Sequence, residues 1–237
     1  MSQSEFGEKT KLIRGGLSRS ENQETSEALY LTSGYVYHTA EEAEAAFAGD
    51  ANRYVYSRYG NPTVAMLEEK MALLEGAEAC LATGTGMSAI FAALASLLKT
   101  GDRVVASRAL FGACHAILTK ILPAWGVSVT LVDGTDLTAW ETALATPTKV
   151  VFLESPSNPI LQLVDIEAVS HLAHQAGALV IVDNVFATPI YQKPLQLGAD
   201  IICYSATKHI EGQGRVLGGL VLGSESYITE TLLPFYR

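Results

Sequence analysis

The clearest candidate for a reactive side chain is a lysine that follows a run of apolar residues. Lys208 lies in the polar segment 204–209, between the apolar run 201–203 and a glycine-rich stretch at 212–219. Burial disfavours the charged form of an amine, so we expect Lys208 to be buried and uncharged. An uncharged amine can attack a carbonyl carbon and form a Schiff base. On its own, Lys208 is better explained as an ordinary loop lysine, because buried lysines are rare.

A second set of residues could bind an anion. The glycine-rich turn at 84–88 connects a predicted strand to a helix that we expect to begin near Ser88, and free N–H groups at a helix N-terminus bind phosphate. The turn matches neither the Walker pattern nor GxGxxG, and a tight turn explains it equally well. The hydroxyls of Ser205 and Thr207 could donate to the same anion, and Arg58 could add a charge-assisted pair. Their ordinary alternatives are a cap, a turn and a solvated arginine.

A third set could hold a planar ring. Asp183 ends the apolar run 179–182, and a carboxylate there can keep a heteroaromatic nitrogen protonated, which makes the ring an electron sink. Asp183 could instead cap the next segment or bind a metal, although no second acid is evident nearby. Asn158 lies in a proline-rich loop that would fix its amide, or it faces water in an ordinary turn. Phe111 could stack on a ring, but a single phenylalanine is more often core.

Apolar runs alternate with helical patterns along most of the chain. We predict strands near 79–82, 103–107, 127–132, 149–154, 179–183, 201–204 and 217–222. We predict helices at 64–75, 88–98, 112–122, 137–145 and 165–176 and a short one after Thr39. The proposed caps are Thr39, Thr63, Asp165 and, at a C-terminus, Gly177. Nearly continuous apolar strands favour a mostly parallel sheet covered on both faces, with ligands bound beyond the carboxyl ends of the strands.

Composition excludes several classes of function. The 237 residues are 49% hydrophobic and 17% charged, which is typical of one large or two small globular domains. A net charge of −9 argues against nucleic acid, and the scattered basic residues argue against a membrane surface. Cys80, Cys114 and Cys203 have no metal-ligand spacing, so we expect reduced thiols, a cytoplasmic location and no metal. The apolar run 89–98 is too short to span a bilayer.

Four segments that carry the candidate residues resemble one family of enzymes. They lie at 56–63, 154–159, 183–189 and 205–208. In this order they resemble the Cys/Met-metabolism family of fold-type I enzymes, over almost the whole chain, and the stretch 208–219 is most similar to its O-succinylhomoserine sulfhydrylases. The resemblance implies pyridoxal 5′-phosphate as the cofactor. It also implies a three-layer α/β sandwich with a seven-stranded, mostly parallel sheet, preceded by an extended N-terminal arm.

The resemblance also implies roles for individual residues. Lys208 would form the Schiff base with the cofactor and then move protons. Asp183 would pair with the pyridine nitrogen, and Asn158 with the ring hydroxyl or the substrate. The residues implied to hold the phosphate or stack on the ring are Gly86, Met87, Ser205, Thr207 and Phe111. Tyr56, as a catalytic residue, and Arg58 would reach the phosphate and substrate of a neighbouring subunit, so the active unit would be a dimer or a dimer of dimers.

The implied reaction is replacement of the γ-acyloxy group of an O-acylated homoserine, O-succinyl-L-homoserine by resemblance, by sulfide. It yields homocysteine for methionine biosynthesis. Alternatives within the family are cystathionine γ-synthase and methionine or cystathionine γ-lyase activity. We expect residues 1–50 to form an N-terminal arm and inter-subunit segment, 51–237 the cofactor-binding large domain, and the small C-terminal domain of the family to be absent. A catalytically silent cofactor-binding fragment and a nucleotide-binding domain built on the turn at 84–88 remain alternatives.

Overall fold

The computed structural model describes residues 3–237, which divide into two compact units. The first unit comprises the residues up to Leu74 together with Arg237, and the second comprises Glu75–Tyr236. The predicted division near residue 50 stays a prediction.

The second unit is built on a seven-stranded sheet. Its strands are β1 (Ala79–Thr83), β2 (Arg103–Ser107), β3 (Ser128–Val132), β4 (Val150–Glu154), β5 (Leu179–Asp183), β6 (Ile201–Ser205) and β7 (Gly219–Gly223). The spatial order is β1-β7-β6-β5-β4-β2-β3, and only β7 runs antiparallel to its neighbours. Each predicted strand is present to within two residues, so the prediction of a mostly parallel α/β sheet is confirmed.

The described residues of the two units also form α-helices. They are α1 (Glu8–Arg14), α2 (Ala40–Ala48), α3 (Pro62–Glu75), α4 (Gly86–Ala95), α5 (Gly112–Ala116), α6 (Leu122–Ala124), α7 (Leu137–Leu144), α8 (Ile166–Gln175), α9 (Thr188–Tyr191) and α10 (Leu233–Tyr236). Side chains along a strand point alternately to the two faces, so Phe152 packs in one core cluster while Val151 and Leu153 pack in the other. The central strands β4, β5, β6 and β7 are therefore buried on both sides, whereas the edge strands β1 and β3 are only partly buried. Within residues 3–237, no helix is long and apolar enough to cross a membrane.

Local capping explains where several helices begin and end. The Thr39 hydroxyl accepts a hydrogen bond from Glu42 N, and the Asp165 carboxylate accepts one from Ala168 N, as predicted. Gly177 follows α8 with a φ of +74°, which confirms it as the residue after the helix C-cap.

The prediction that Thr63 caps α3 is wrong. Asn61 takes this role, because its side-chain oxygen accepts from Thr63 N at 2.9 Å. Pro62 can begin the helix because the first helical residue needs no N–H partner. The Thr63 hydroxyl instead accepts from Tyr30 N and donates to Ala28 O, which attaches the extended segment around residues 28–30 to the helix in the first unit.

Candidate active site

A cavity of about 320 Å³ opens in the second unit beyond the carboxyl ends of β4, β5 and β6. This is the edge of the sheet where parallel α/β proteins bind ligands. Of the residues singled out from the sequence, the cavity is lined by Gly86, Met87, Phe111, Asn158, Asp183, Ser205, Thr207 and Lys208. Residues that are up to 122 positions apart in sequence, such as Gly86 and Lys208, therefore contribute to one site.

One wall of the cavity is the N-terminus of α4. Thr85 is the N-cap, and its hydroxyl accepts from Ser88 N at 3.0 Å while its carbonyl accepts from Ala89 N at 3.1 Å. The amides of Gly86 and Met87 are the first two of the helix, and such amides have no partner within it. The helix thus begins two residues earlier than predicted, with the glycine inside it. Amides placed in this way, at the positive end of the helix, bind anions.

Gly86 is required at its position by packing. A Cβ there would lie 2.5 Å from Ser205 Cβ and 2.7 Å from Ser205 Cα, far inside contact distance. The absence of a side chain brings the end of β6 against the first turn of α4, and places the Ser205 hydroxyl beside the helix amides. This close approach is the structural reason for the glycine in the turn at 84–88.

The cavity is also lined by a buried carboxyl group. Asp183 is the last residue of β5 and only 5% exposed, and its Oδ1 accepts from Val185 N at 3.1 Å. Desolvation, followed by the nearby charge of Glu154, raises the pKa of Asp183 from 3.8 to about 7. A buried acid of this kind is stabilised in its ionised form by a cation or by a protonated ring nitrogen.

Glu154 is a site residue that the sequence analysis missed. Its Cα is the register partner of Asp183 on the neighbouring parallel strand, and its side chain lines the same cavity. The expectation that no second acid lies near Asp183 is therefore wrong. The two acids are far apart in sequence, and only the register of β4 against β5 brings them together. The available signal was that both end an apolar strand. The described residues nevertheless contain no cluster of three or more side chains that could hold a metal ion.

The Glu154 carboxylate joins two of the predicted site residues. Its Oε2 accepts from Phe111 N at 2.6 Å, and its Oε1 accepts from Asn158 N at 2.8 Å. Phe111 is 43% exposed and lines the cavity. It is therefore not a core residue of the second unit. Burial raises the pKa of Glu154 and the two amides oppose that shift.

The prediction that Lys208 is buried is wrong. Its side chain is exposed, although it lines the cavity. The physical reason is that β6 ends at Ser205, so Lys208 lies in the turn beyond the sheet, where its backbone N–H donates to Ser205 O. Lys208 therefore contributes to the cavity as a solvent-exposed residue.

Two hydrogen bonds between Thr207 and Gly218 join the ends of the loop that carries Lys208. The Thr207 hydroxyl donates to Gly218 O at 3.2 Å and accepts from Gly218 N at 3.0 Å. The hydroxyl has a single proton, so binding an anion would require Thr207 to give up its bond to the Gly218 carbonyl. The ordinary turn role of Thr207 is thus present in the structure, and its predicted phosphate contact stays a prediction.

Tyr56 and Arg58 belong to the first unit. Tyr56 is 44% exposed, and the Arg58 guanidinium lies 5.7 Å from its ring centroid and 4.6 Å from that of Tyr59. Arg58 also donates to Arg237 O at 2.8 Å. The arginine is therefore held among aromatic rings, and the predicted reach of both residues into a neighbouring subunit stays a prediction.

A buried polar cluster lies behind the cavity in the second unit. Glu75 is fully buried, and its Oε1 accepts hydrogen bonds from the Tyr204 hydroxyl and the Asn184 amide. Its other oxygen has no hydrogen-bond partner among the described residues. Desolvation raises the pKa of Glu75 from 4.5 to about 7. Tyr204 and Asn184 directly adjoin Ser205 and Asp183, so this cluster supports two residues of the cavity from behind.

Residues 9–235 match the family of Cys/Met metabolism PLP-dependent enzymes. The chain belongs to this family. The resemblance inferred from the four segments is thereby confirmed.

Individual relatives narrow the comparison. The chain is 58% identical over 216 residues to an O-succinylhomoserine sulfhydrylase of Mycobacterium tuberculosis, covering 91% of this chain and 53% of that protein. It is 43% identical to an L-methionine gamma-lyase of Porphyromonas gingivalis, over 94% of this chain and 56% of that protein. Crystalline cystathionine gamma-lyase of Lactobacillus plantarum, complexed with L-serine, superposes with a TM-score of 0.87 at 36% identity, over 98% of this chain and 58% of that one.

The chain spans about half the length of the curated relatives it matches. The fold-type I assignment of the sheet is confirmed by the solved relatives, which share its fold over nearly all of this chain.

The cavity residues fit pyridoxal 5′-phosphate. The amides of Gly86 and Met87 at the start of α4 suit a phosphate. The raised pKa of the buried Asp183 suits a partner that carries a proton on a ring nitrogen. A half-exposed aromatic ring and an exposed amine lie in the same cavity, whose volume is in the range of small-ligand sites.

Proposed function

We propose that this chain binds pyridoxal 5′-phosphate through Lys208 and forms the cofactor-binding part of an enzyme that replaces the γ-substituent of an O-acylated homoserine by sulfide. The observation that carries the proposal is that one cavity is lined by an exposed lysine, a buried aspartate and the first amides of a helix. Pyridoxal 5′-phosphate, when bound, acts as an electron sink for the carbon skeleton of an amino acid.

Each residue then has a task that its surroundings support. Lys208 Nζ, at the open mouth of the cavity, accepts the proton from the substrate Cα and returns protons later. Asp183 binds a proton-bearing ring edge, because no cation among the described residues compensates its buried carboxylate. Gly86 and Met87 bind the anionic end of the ligand, Ser205 donates to the same group, and Asn158 orients the ring edge or the substrate.

The substrate that we propose is taken from the names of similar proteins. The sulfhydrylase of Mycobacterium tuberculosis is named for O-succinylhomoserine, which supports O-succinyl-L-homoserine and sulfide as substrates and homocysteine as product. A second candidate is γ-elimination, which the likeness to L-methionine gamma-lyases favours. Because the chain spans half of these proteins, a cofactor-binding piece without turnover is the third outcome that an experiment must separate.

We also propose a homo-oligomeric enzyme of the cytoplasm. Tyr56 is exposed, which supports its use by an adjoining subunit, where it would act on the substrate, and Arg58 lies beside it, 5.7 Å from its ring centroid. Cys80, Cys114 and Cys203 form no disulfide with one another, which fits a reducing compartment. The oligomer proposed is at least a dimer, and by the resemblance a dimer of dimers.

A spectroscopic experiment tests the cofactor. The purified chain is mixed with pyridoxal 5′-phosphate, its visible absorption is recorded, and the complex is reduced with borohydride and mapped by peptide mass spectrometry. We expect a fixed adduct on Lys208, none in Lys208→Ala, and an unaltered adduct in Lys120→Ala, a matched change at an exposed lysine. Absence of any adduct on Lys208 would refute cofactor binding.

Turnover assays then separate the activities. O-succinylhomoserine is supplied with sulfide, with cysteine, or with no nucleophile, and the products homocysteine, cystathionine and 2-oxobutanoate are measured. Homocysteine as the main product supports the sulfhydrylase, and 2-oxobutanoate without a nucleophile supports the lyase. A coloured chain that forms no product identifies the silent cofactor-binding piece.

A further inference from the structure

A single buried carboxylate connects the two loops that present Phe111 and Asn158 to the cavity. We propose that Glu154 is a positioning residue, which sets the ring-facing aromatic and the ring-edge amide in their places by accepting a hydrogen bond from the backbone of each. Glu154 contributes no predicted contact of its own to the ligand. The inference rests on the proposed function only in so far as the ligand is pyridoxal 5′-phosphate.

The geometry uses both oxygens of the side chain. Oε2 binds Phe111 N at 2.6 Å, and Oε1 binds Asn158 N at 2.8 Å. Both are short hydrogen bonds to a carboxylate, and bonds to an ionised acceptor are stronger than those between neutral groups. The two donors come from different loops, since Phe111 follows β2 and Asn158 follows β4. No other carboxylate among the described residues is hydrogen-bonded to the backbone of either residue.

Burial makes these bonds consequential. Glu154 is 5% exposed, so water does not readily replace the two amides at its carboxylate. Among the described residues, the other main-chain hydrogen bonds of the two loops do not involve the N–H groups of Phe111 and Asn158, so Glu154 is the only acceptor for both. The Glu154 carboxylate therefore holds the backbone of both loops through one hydrogen bond to each.

The position of Glu154 also explains why the residue is an acid. It ends β4 in register with Asp183, so two buried carboxyl groups lie side by side at the cavity. Two neighbouring acids are unfavourable unless hydrogen bonds compensate one of them. The Phe111 and Asn158 amides do so for Glu154, which leaves Asp183 as the group that a proton-bearing ligand satisfies. A glutamine would retain the shape but would offer one acceptor oxygen in place of two.

Amide exchange in the ligand-free chain tests the hold on the two loops. In Glu154→Gln, hydrogen exchange at Phe111 N or Asn158 N should accelerate by about ten- to a hundredfold, as expected for loss of a hydrogen bond to a charged group. Glu167→Gln, the same change at an exposed position on α8, should leave both rates unaltered. Glu154→Asp, which keeps the charge but shortens the reach, should accelerate at least one amide and serves if the glutamine variant does not fold.

Cofactor binding tests the consequence for the ligand. Glu154→Gln should bind pyridoxal 5′-phosphate about tenfold more weakly. At saturation, its visible circular dichroism per bound cofactor should be smaller, because the ring is held in a less defined orientation. If Glu154 only stabilised the fold, its substitution would lower the free energy of unfolding and leave the circular dichroism per bound cofactor unchanged.

The outcomes distinguish the inference from the proposed function. A folded Glu154→Gln variant with wild-type exchange at both amides overturns the hold on the loops. Wild-type affinity and dichroism in that variant overturn its effect on the ligand. A wild-type chain that forms no adduct at Lys208 counts against the proposed function instead, and the exchange rates then decide the inference by themselves.

Discussion

Gly86 and Ser205 approach each other so closely that a side chain on Gly86 has no room: a Cβ there would lie 2.5 Å from the Cβ of Ser205. The first turn of α4 and the last residue of β6 are thus packed directly together. Two polar features, the helix amides and the serine hydroxyl, consequently face the same end of the cavity.

The first prediction concerns this contact. Gly86→Ala should lower the free energy of unfolding by about 1–3 kcal/mol, because a methyl group forces α4 and β6 apart. It should also weaken phosphate binding by displacing the first amides of the helix. Gly84→Ala is the matched control, since a Cβ at Gly84 meets nothing within 4 Å. Urea unfolding and pyridoxal 5′-phosphate titration measure both effects, and equal behaviour of the two variants would contradict the prediction.

The second prediction concerns the charge of Asp183. Its pKa is raised from 3.8 to about 7 in the folded chain, so folding favours the protonated acid. Below pH 3.8 the group is protonated in both states and costs nothing, and as pH rises towards 7 the cofactor-free chain loses stability. Asp183→Asn removes this loss and should raise the free energy of unfolding above pH 7 by up to about 4 kcal/mol.

The gain in stability should come with a loss in binding. An asparagine cannot supply the negative charge that holds a protonated ring nitrogen, so Asp183→Asn should bind pyridoxal 5′-phosphate more weakly than wild type. Denaturant titrations across this pH range and cofactor titrations give the two quantities. Asp50→Asn, at an exposed position, should change neither. A variant that is no more stable than wild type above pH 7 would show that the buried charge is already compensated.

The third prediction concerns Glu75. Burial raises its pKa from 4.5 to about 7, so it also favours the folded state more at low pH than at high pH. Between pH 4.5 and 7, the unfolding free energy of Glu75→Gln should fall less steeply than that of wild type. The total fall over this range should be smaller by up to about 3 kcal/mol. The slope is the informative quantity, because the new amide group also meets a site without a hydrogen-bond partner. Glu141→Gln, exposed on α7, should keep the wild-type slope.

The fourth prediction concerns Phe111. Because this ring is 43% exposed, Phe111→Ala should cost little stability, yet it should weaken pyridoxal 5′-phosphate binding by about two- to tenfold through loss of ring stacking. Phe111→Tyr should bind as wild type does, since stacking is preserved. Phe47→Ala, at a more exposed ring, is the control for a general effect of removing a surface aromatic. Undiminished binding by Phe111→Ala would remove the ring from the site.

The sheet and several helix ends follow from local patterns in the sequence. The strand runs are continuous and apolar because helices cover both faces, so β4 and β5 were recognisable residue by residue. Asp165 and Thr39 were recognisable as caps because a short polar side chain before a helical pattern has one main use. Asn61 was hidden by Thr63, which is an equally suitable residue two positions later.

The relations that were missed within the site depend on tertiary structure. Glu154 and Asp183 become neighbours only through strand register, and Glu75 meets Tyr204 across 129 positions of sequence. The exposure of Lys208 could not be foreseen either, because only the structure shows that β6 ends at Ser205, three residues before the lysine. Local periodicity reports which face a residue takes within its own element, and carries no information on what the neighbouring element places opposite.

The bond pair between Thr207 and Gly218 has a consequence for how Lys208 can act. It anchors the main chain immediately before the lysine. Gly212 and Gly214, both at positive φ, lie farther along the same loop between β6 and β7. The Cα of Lys208 is thereby tethered close to a stationary point. Rotation about the side-chain bonds of Lys208 can then bring its amine to several different atoms in turn. No rearrangement of the backbone is needed for this.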